Sequence, residues 1–461
     1  MQLIACLRHS PIDSKTDTTI AAIASPPGTG AVSLIRVSGP AAKEVTAKAF
    51  RGKRVGDWLP RRQHFGRIVD SDGGTVDHVL LTWFPSPHSF TGDETVEIAC
   101  HGGVLVTGNV LDTLFRNGAE PADPGEFSQR AFFNGKIDLT QAEAIMDLIS
   151  ARTGLAAKAA QEQLEGRLGR ELEEIRQSLI GLVAHIEAYI DFPDEDIDPD
   201  SQERLLSRLD LVIAKVERLL ATADQGRILR EGIHTVICGP PNAGKSSLLN
   251  LLLGFDRAIV NAAAGTTRDT IEEVINLKGI PLRLVDTAGL REGNESVEQQ
   301  GIERSRHQIL HAELIVLVID ANAPRDEMAS IDLPETTRLI RLFNKSDLPE
   351  HPDWKDEPGL RISCLSNDGA SAVSDYLYGE LVRGGSIDTA NLVAINVRHQ
   401  HCLTHALAEL ENARAKLSGA ESPEFVSMDL RAALDSVGNV IGKTDVEEIL
   451  SEIFSSFCIG K

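Results

Sequence analysis

Gly239-Pro240-Pro241-Asn242-Ala243-Gly244-Lys245-Ser246 has the spacing G-x-x-x-x-G-K-[ST] of a phosphate-binding loop. It follows a strand-like run, His234–Cys238, and opens an apolar helical segment, Ser247–Leu253. That is the strand–loop–helix context the motif needs. Its glycines let backbone N–H groups wrap phosphate oxygens, Lys245 brings a point charge to the β and γ oxygens, and the Ser246 hydroxyl can ligate Mg²⁺. Asn242, Ala243, Gly244, Lys245, Ser246 and Ser247 are therefore the expected phosphate contacts. Taken alone, the loop also reads as a chance Gly-rich turn.

Further motifs weigh against chance. Asp286-Thr287-Ala288-Gly289 ends a strand, where an Asp can hold Mg²⁺ through water and a Gly N–H can meet a γ-phosphate. Asn344-Lys345-Ser346-Asp347 follows another strand, and the Asp347 carboxylate can accept from N1 and N2 of guanine, groups that adenine lacks. Ser363-Cys364-Leu365 stands where a backbone N–H meets guanine O6. The order and spacing resemble those of Ras-like GTPases and imply GTP rather than ATP. Leu290 stands where many such enzymes carry a water-orienting Gln, so another group has to orient the water. Gly265-Thr266-Thr267-Arg268-Asp269 is the switch I candidate, with Thr267 completing the Mg²⁺ shell. Arg268 reads equally as an arginine finger or a structural ion pair. Asn242 reads either as a monovalent-cation ligand or as a turn residue.

The elements around these motifs fall into three textures. From about Thr18 to Asn134, short strands (Ala31–Val37, Val79–Phe84, Thr95–Cys100) mix with turns, which predicts an α+β domain. Leu164, Leu168, Leu172, Ile175, Leu179, Val183, Ile186 and Ile190 then form one apolar stripe on a long helix that stops before Pro193. Asp194–Asp200 is an acidic loop, read as a solvated connection with a cation site as the minor alternative. A second amphipathic helix runs through Leu205–Leu219. From Gly232, the runs His234–Gly239, Leu282–Asp286, Leu314–Asp320 and Thr337–Asn344 alternate with helical segments and predict a parallel α/β sheet. Helical texture returns after Asn391, and Thr444 with Glu447 makes a capping-box pattern for a last helix ending near Phe454. The expected fold is multidomain. It has an α+β domain over 1–134, a discontinuous α-helical domain over 135–231 and 387–461, and an inserted α/β domain over 232–386.

Composition sets limits on function. Lys+Arg number 46 against 68 Asp+Glu, a formal charge of −22, which argues against a general nucleic-acid coat but leaves room for a local basic patch. No apolar run approaches the ~20 residues of a membrane span. The start, Met1 to Asp17, lacks the pattern of a signal peptide. The six cysteines, Cys6, Cys100, Cys238, Cys364, Cys402 and Cys458, show no Cys-x-x-Cys spacing and read as reduced thiols of a cytoplasmic protein.

Other segments carry a specific resemblance. They are Ser25-Pro26-Pro27-Gly28, Leu34–Gly39, His101-Gly102-Gly103, Pro124-Gly125-Glu126-Phe127, Arg130–Lys136, the Gly265–Asp269 run and the terminal Cys458-Ile459-Gly460-Lys461. With the nucleotide motifs, they identify the chain as similar to the MnmE (TrmE) tRNA modification GTPases, within the TrmE-Era-EngA-YihA-Septin-like superfamily. The likeness runs from Thr18 to Lys461.

The resemblance implies an N-terminal folate-binding domain that forms a homodimer, and a GTPase activated when two G domains meet with K⁺ at the phosphates. It also implies an FAD-dependent partner, MnmG (GidA), in a heterotetramer that modifies C5 of the wobble uridine of certain tRNAs. A methylene-tetrahydrofolate gives the one-carbon unit, and glycine or ammonium the nitrogen. By position, Asn242, Asn261, Ala263 and Thr266 become K⁺ ligands, and Ala262, Ala264, Gly265 and Thr267 nucleotide-loop residues. The family carries Asp and Ile at the positions of Ala262 and Ala263, a change that a backbone-carbonyl site tolerates. Glu298 matches the water-orienting glutamate, its alternative being a solvated switch carboxylate. Arg36, Glu97, Lys136 and Lys461 match the folate residues, with surface ion pairing the alternative for Lys136. Thr29-Gly30-Ala31 and Asp123 depart from the family's local pattern. Cys458 is either a nucleophile toward an electrophilic carbon, its thiolate favoured by Lys461, or an apolar filler.

The leading reading is therefore a GTP-hydrolysing subunit of a tRNA-modifying enzyme. A GTP-dependent ribosome or RNA assembly switch without chemistry, and a folate enzyme regulated by GTP, are the competing classes. If tRNA is the substrate, the acidity predicts that a partner shares the phosphate contacts.

Overall fold

A computed structural model describes residues 17–191, 202–256, 272–286, 308–325, 337–366, 369–383, 392–419, 421–443, 453–454, 457 and 459–460 of the chain. The chain divides into two compact units, Met1–Met146 with Gly438–Lys461, and Asp147–Val437. This division is coarser than the four segments expected from sequence.

The first unit is built on a seven-stranded sheet of order β3-β4-β5-β6-β2-β1-β7. Its strands are β1 (Ile20–Ile23), β2 (Val32–Ser38), β3 (Phe50–Gly52), β4 (Gln63–Val69), β5 (Thr75–Phe84), β6 (Thr95–His101) and β7 (Glu120–Pro121). Period-two alternation gives the sheet one apolar face. Ile35, Val37, Val79, Leu81, Val96 and Ile98 bury that face against Val45 of α1 (Ala42–Ala49) and Val110 and Leu114 of α2 (Val104–Arg116). The opposite face carries Phe65, Leu80, Arg36 and Glu97, none of them buried. Helix α3 (Glu126–Phe133) and the start of α4 (Leu139–Ser150) complete the unit. The chain end joins it too. Phe454 and Phe457 pack with Leu139, Ala142 and Phe132, and a Cβ on Gly125 would stand 2.6 Å from the Phe454 carbonyl oxygen.

The second unit holds α5 (Gly154–Leu164), α6 (Arg167–Asp191), α7 (Gln202–Leu220) and α8 (Ala223–Glu231). Leu168, Leu172, Ile175, Leu179 and Ile186 are buried as the stripe predicts. The stripe does not begin on one continuous helix, however. Gly166, at φ +79, separates α5 from α6, so Leu164 ends one helix and Leu168 lies on the next. Helix α7 packs on α6 and on α11 (Val397–Ser418). Helix α12 (Pro423–Ile441) follows. The acidic run 194–200 and the capping pattern at Thr444 lie outside the described residues.

Between α8 and α11 the same unit contains a six-stranded sheet of order β13-β12-β11-β8-β10-β9. Its strands are β8 (Ile233–Cys238), β9 (Glu272–Leu277), β10 (Ile280–Asp286), β11 (Leu314–Asp320), β12 (Arg338–Asn344) and β13 (Leu360–Arg361). Helices α9 (Lys245–Asp256) and α10 (Gly369–Arg383) flank it. Hydrophobic clusters fill both faces, one around Ile237, Leu284 and Val316 and the other around Val236, Ile315 and Phe343. The four runs expected to form a parallel sheet pair in parallel, and the sheet gains a strand that the sequence reading did not name: β9 runs antiparallel to β10. The reason is a tight hairpin, in which Lys278 (φ +49) and Gly279 (φ +100) supply the two positive-φ residues of a type I′ turn. Among the described residues no helix is long and apolar enough to cross a membrane.

Candidate functional site

The phosphate-type loop leaves the carboxyl end of β8, a central strand. From there the sheet runs outward to β10 on one side and β11 on the other. Open α/β sheets bind ligands at such a switch point. Two glycines are required there. Gly239 (φ +144) would drive a Cβ into the Val318 carbonyl, and Gly244 (φ +100) would drive one into the Asn344 side-chain amide. Between them Asn242 takes a left-handed φ of +60, which Asn tolerates. The Lys245 ammonium donates to the carbonyl oxygens of Gly239 at 3.0 Å and Pro240 at 2.7 Å, so the loop curls over its own lysine. Ala243 is fully buried, while Ser246 and Ser247 are exposed in the first turn of α9. A helix start leaves backbone N–H groups without intrahelical partners, which suits anions.

The neighbouring strands bring the remaining motifs to the same sheet edge. Asp320 at the end of β11 stands opposite Asn344 at the end of β12, and Leu317 of β11 opposite Cys238. Asn344 is 3 % exposed. Its amide donates to the Ala243 carbonyl at 2.8 Å, and its side-chain oxygen accepts from the Cys364 N–H at 3.1 Å. One side chain thus ties the phosphate loop to the loops expected to read the base. Lys345 (φ +66) places its ammonium 2.5 Å from Asp320 Oδ2. Asp347 is exposed. The Ser363 hydroxyl, in a largely buried residue, accepts from the Leu365 N–H at 3.3 Å, and the Leu365 side chain is exposed. Burial pushes the Cys238 thiol up to about 11 despite nearby Lys245, and pushes Cys364 up as well. Both thiols are therefore protonated at neutral pH and serve as packing groups rather than nucleophiles.

Asn261, Ala262, Ala263, Ala264, Gly265, Thr266, Thr267, Arg268, Thr287, Ala288, Gly289, Leu290 and Glu298 lie outside the described residues. So do Cys458 and Lys461. For Asp286 only the backbone, at the end of β10, is described.

A second polar site lies in the first unit. Arg36 on β2 stands opposite Glu97 on β6 in the antiparallel register. Arg36 Nε (3.1 Å) and Nη2 (2.9 Å) both donate to Glu97 Oε1. Among the described residues, Arg36 Nη1 and Glu97 Oε2 make no hydrogen bond. The guanidinium carbon stands 5.4 Å from the Phe90 ring centroid and 5.6 Å from that of Phe127. Lys136 Nζ donates to the Pro87 carbonyl at 3.0 Å. Gly460 packs on Ile23 and Ala24, on the strand next to β2. The chain end is thereby brought to the strand beside Arg36.

Sequence reasoning gave no site role to Asp320, Phe90 or Phe127, the last named only within the Pro124–Phe127 motif. An aromatic residue inside the turn-rich run Pro85–Glu94 was the available signal for Phe90.

Comparison with known proteins agrees with this layout. A profile described as the MnmE helical domain matches residues 139–458, and one described as the GTP-binding protein TrmE N-terminus matches 19–136. A "tRNA modification GTPase MnmE" of Akkermansia muciniphila is 48% identical over 96% of this chain and 99% of its own length. That of Natranaerobius thermophilus is 41% identical over 97% of this chain and 100% of its own. The solved G domain of the T. maritima FeoB iron transporter aligns over 33% of this chain and 97% of that one at 22% identity, with a TM-score of 0.22, too low to bear on the fold.

Proposed function

The chain belongs to the MnmE family of tRNA modification GTPases, and from that premise we propose that it hydrolyses GTP as one subunit of an enzyme that modifies C5 of the wobble uridine in certain tRNAs. The observation that carries the nucleotide half is the Asn344 side chain, which joins the phosphate loop to the base loops. Lys245 and the start of α9 hold the phosphates, Asp347 selects guanine, and the loop of Ser363, Cys364 and Leu365 meets its O6.

Ser246 ligates Mg²⁺, joined by Thr267. The exposed Ser246 hydroxyl makes no hydrogen bond among the described residues, which fits that role. K⁺ sits at Asn242, with Asn261, Ala263 and Thr266 completing its shell. Asn242 is likewise exposed and its amide makes no hydrogen bond among the described residues. Glu298 orients the attacking water in place of the Gln that Leu290 displaces.

The N-terminal domain, within residues 1–134, binds a tetrahydrofolate derivative and forms the homodimer. Bound there, the folate supplies a one-carbon unit. The Arg36–Glu97 pair fits such a ligand, because its unused guanidinium N–H and carboxylate oxygen match the acceptor and donor edge of a pterin. Lys461 and Cys458 add to that site from the chain end. An FAD-dependent MnmG partner joins in a heterotetramer and shares the tRNA contacts that a chain of charge −22 cannot supply broadly. The protein works in the cytoplasm.

Mass analysis of tRNA nucleosides tests the reading. Cells lacking the chain should lose the C5 groups of wobble uridine, and retention of those groups sinks the proposal. Deleting Cys458–Lys461 should have the same effect with the protein intact, and unchanged modification removes the chain end from the site.

A further inference from the structure

We infer that β3, β4 and the loop between them, residues 51–67 at one edge of the first unit's sheet, form the surface on which this chain holds the phosphate backbone of tRNA. The inference rests on the tRNA reading of the family and adds the place of contact. Charge singles the segment out. The whole chain carries a formal charge of −22, yet this stretch holds Arg51, Lys53, Arg54, Arg61, Arg62 and Arg67 against one acid, Asp57. All six basic residues are exposed. Among the described residues none of them forms an ion pair with a carboxylate. Their side-chain hydrogen bonds go to neutral groups instead. Arg51 donates to the Lys48 and Phe50 carbonyls, Arg61 to the His88 carbonyl and Arg67 to the Thr75 hydroxyl. Arginines of the helical elements behave otherwise: Arg167, Arg218 and Arg230 each pair with a carboxylate.

Strand register lines the charges up. Arg51 of β3 stands opposite Arg67 of β4, which stands opposite His78 of β5. Partners in register share a face, so two guanidiniums and an imidazole form one row across the open side of the sheet. Like charges placed opposite one another destabilise a free sheet, and a bound anion relieves that repulsion. Guanidinium forks suit phosphate oxygens in particular. Phe65, 69% exposed, stacks on His78 with ring centroids 6.0 Å apart and planes at 14°. A nucleotide beside the row therefore meets an aromatic face as well as charge, which favours RNA over an acidic protein surface. The row also shares its face with the Arg36–Glu97 pair, because Thr82, four residues along β5 from His78, stands opposite Glu97.

The loop between β3 and β4 is pinned from within. Trp58 is 4% exposed and meets Phe50 edge-on, with ring centroids 5.7 Å apart. Its Nε1 donates to the Lys53 carbonyl at 3.1 Å. The Leu59 N–H donates to His64 Nε2 at 3.1 Å, and the Arg61 N–H to the Trp83 carbonyl at 2.8 Å. Lys53, Arg54, Arg61 and Arg62 thus project from a held backbone, which lowers the ordering cost of binding.

The test uses the full chain and an unmodified tRNA transcript with uridine at the wobble position. Fluorescence anisotropy reads affinity between about 50 and 200 mM KCl. The double variant Arg51→Gln/Arg67→Gln and the triple variant Lys53→Gln/Arg54→Gln/Arg62→Gln should each bind at least about tenfold more weakly. Each cation removed should flatten the slope of log affinity against log salt by about 1. Arg152→Gln/Lys158→Gln, a charge change of the same kind on and beside α5, should stay within about twofold of the parent. GTP turnover and thermal melts should stay parental throughout, since the row repels itself in the free chain. If the double variant fails to fold, the triple variant decides, because the side chains it alters make no hydrogen bond among the described residues. Parent-like affinity and slope in the patch variants overturn the inference and leave an acidic protein face as the occupant. An equal loss in the Arg152/Lys158 control overturns it too, by showing a diffuse charge effect. A parent chain that binds no tRNA also overturns it, whereas loss of wobble modification in cells without the chain still upholds the family reading.

Discussion

Asn344 donates its side-chain amide to the carbonyl of Ala243 across 101 residues of sequence, at 2.8 Å and fully buried. Its oxygen simultaneously accepts from the Cys364 N–H. Three loops thus share one polar side chain, and losing it leaves buried backbone groups without partners. Asn344→Ala is expected to cost about 1–3 kcal/mol of stability and to weaken GTP binding at least about tenfold. Denaturant melts and nucleotide titration measure both. Unchanged affinity would show that the loops hold their places without this tie.

Asp347 stands exposed past the end of β12, with its carboxylate available to a base. Asp347→Asn replaces an acceptor pair with an acceptor and a donor. The variant should lose GTP binding by about a hundredfold and gain affinity for xanthosine triphosphate, whose C2 carries an oxygen in place of the amino group. Competition titrations with the two nucleotides decide it, and a preference still for GTP counts against Asp347 as the base reader.

The K⁺ site proposed at Asn242 predicts that turnover depends on the salt. GTP hydrolysis should be faster in K⁺ than in Na⁺ at equal ionic strength, and Asn242→Ala should remove most of that difference. Equal rates in both salts count against the cation site.

Glu298→Ala is expected to lose most GTP hydrolysis while keeping GTP affinity, because a water-orienting carboxylate acts only on the reacting complex. A loss of affinity instead would make Glu298 a structural residue.

Asp93 illustrates a pH dependence set by burial. Burial raises its carboxyl above the ordinary 3.8, against a hydrogen bond from Asn134 and the charge of Arg130. Its Oδ2 is buried and makes no hydrogen bond among the described residues. With the folded value raised, the contribution of Asp93 to stability is complete below about pH 3.8 and is lost as pH rises through the folded value. At neutral pH the charged form therefore costs the fold. Asp93→Asn should be more stable than the parent by about 1 kcal/mol at pH 7, and the gap should close as pH falls below about 4. A variant less stable at pH 7 would show that the Arg130 attraction outweighs the burial.

The sequence by itself determined the chemistry that contiguous residues carry. The Gly239–Ser246 loop works through backbone N–H groups and one lysine, so its spacing, together with the Asp286–Gly289 and Asn344–Asp347 motifs, identifies it. The alternating strands β2, β5 and β6 and the amphipathic α6 and α7 were legible for the same reason, since a local period names the element and the face it buries. What the tertiary structure decided was which distant residues meet. The break at Gly166 and the β9–β10 hairpin hinge on one or two positive-φ residues that no hydrophobic period records. Arg36 meets Glu97 only because β2 and β6 pair in one register, and a slip of one residue would put them on opposite faces. The contacts of Asn344 with Ala243 and of Lys136 with Pro87 likewise depend on loops that converge once the strands are in order. Those pairings are fixed by the burial of the whole sheet, and no short stretch of sequence contains that information.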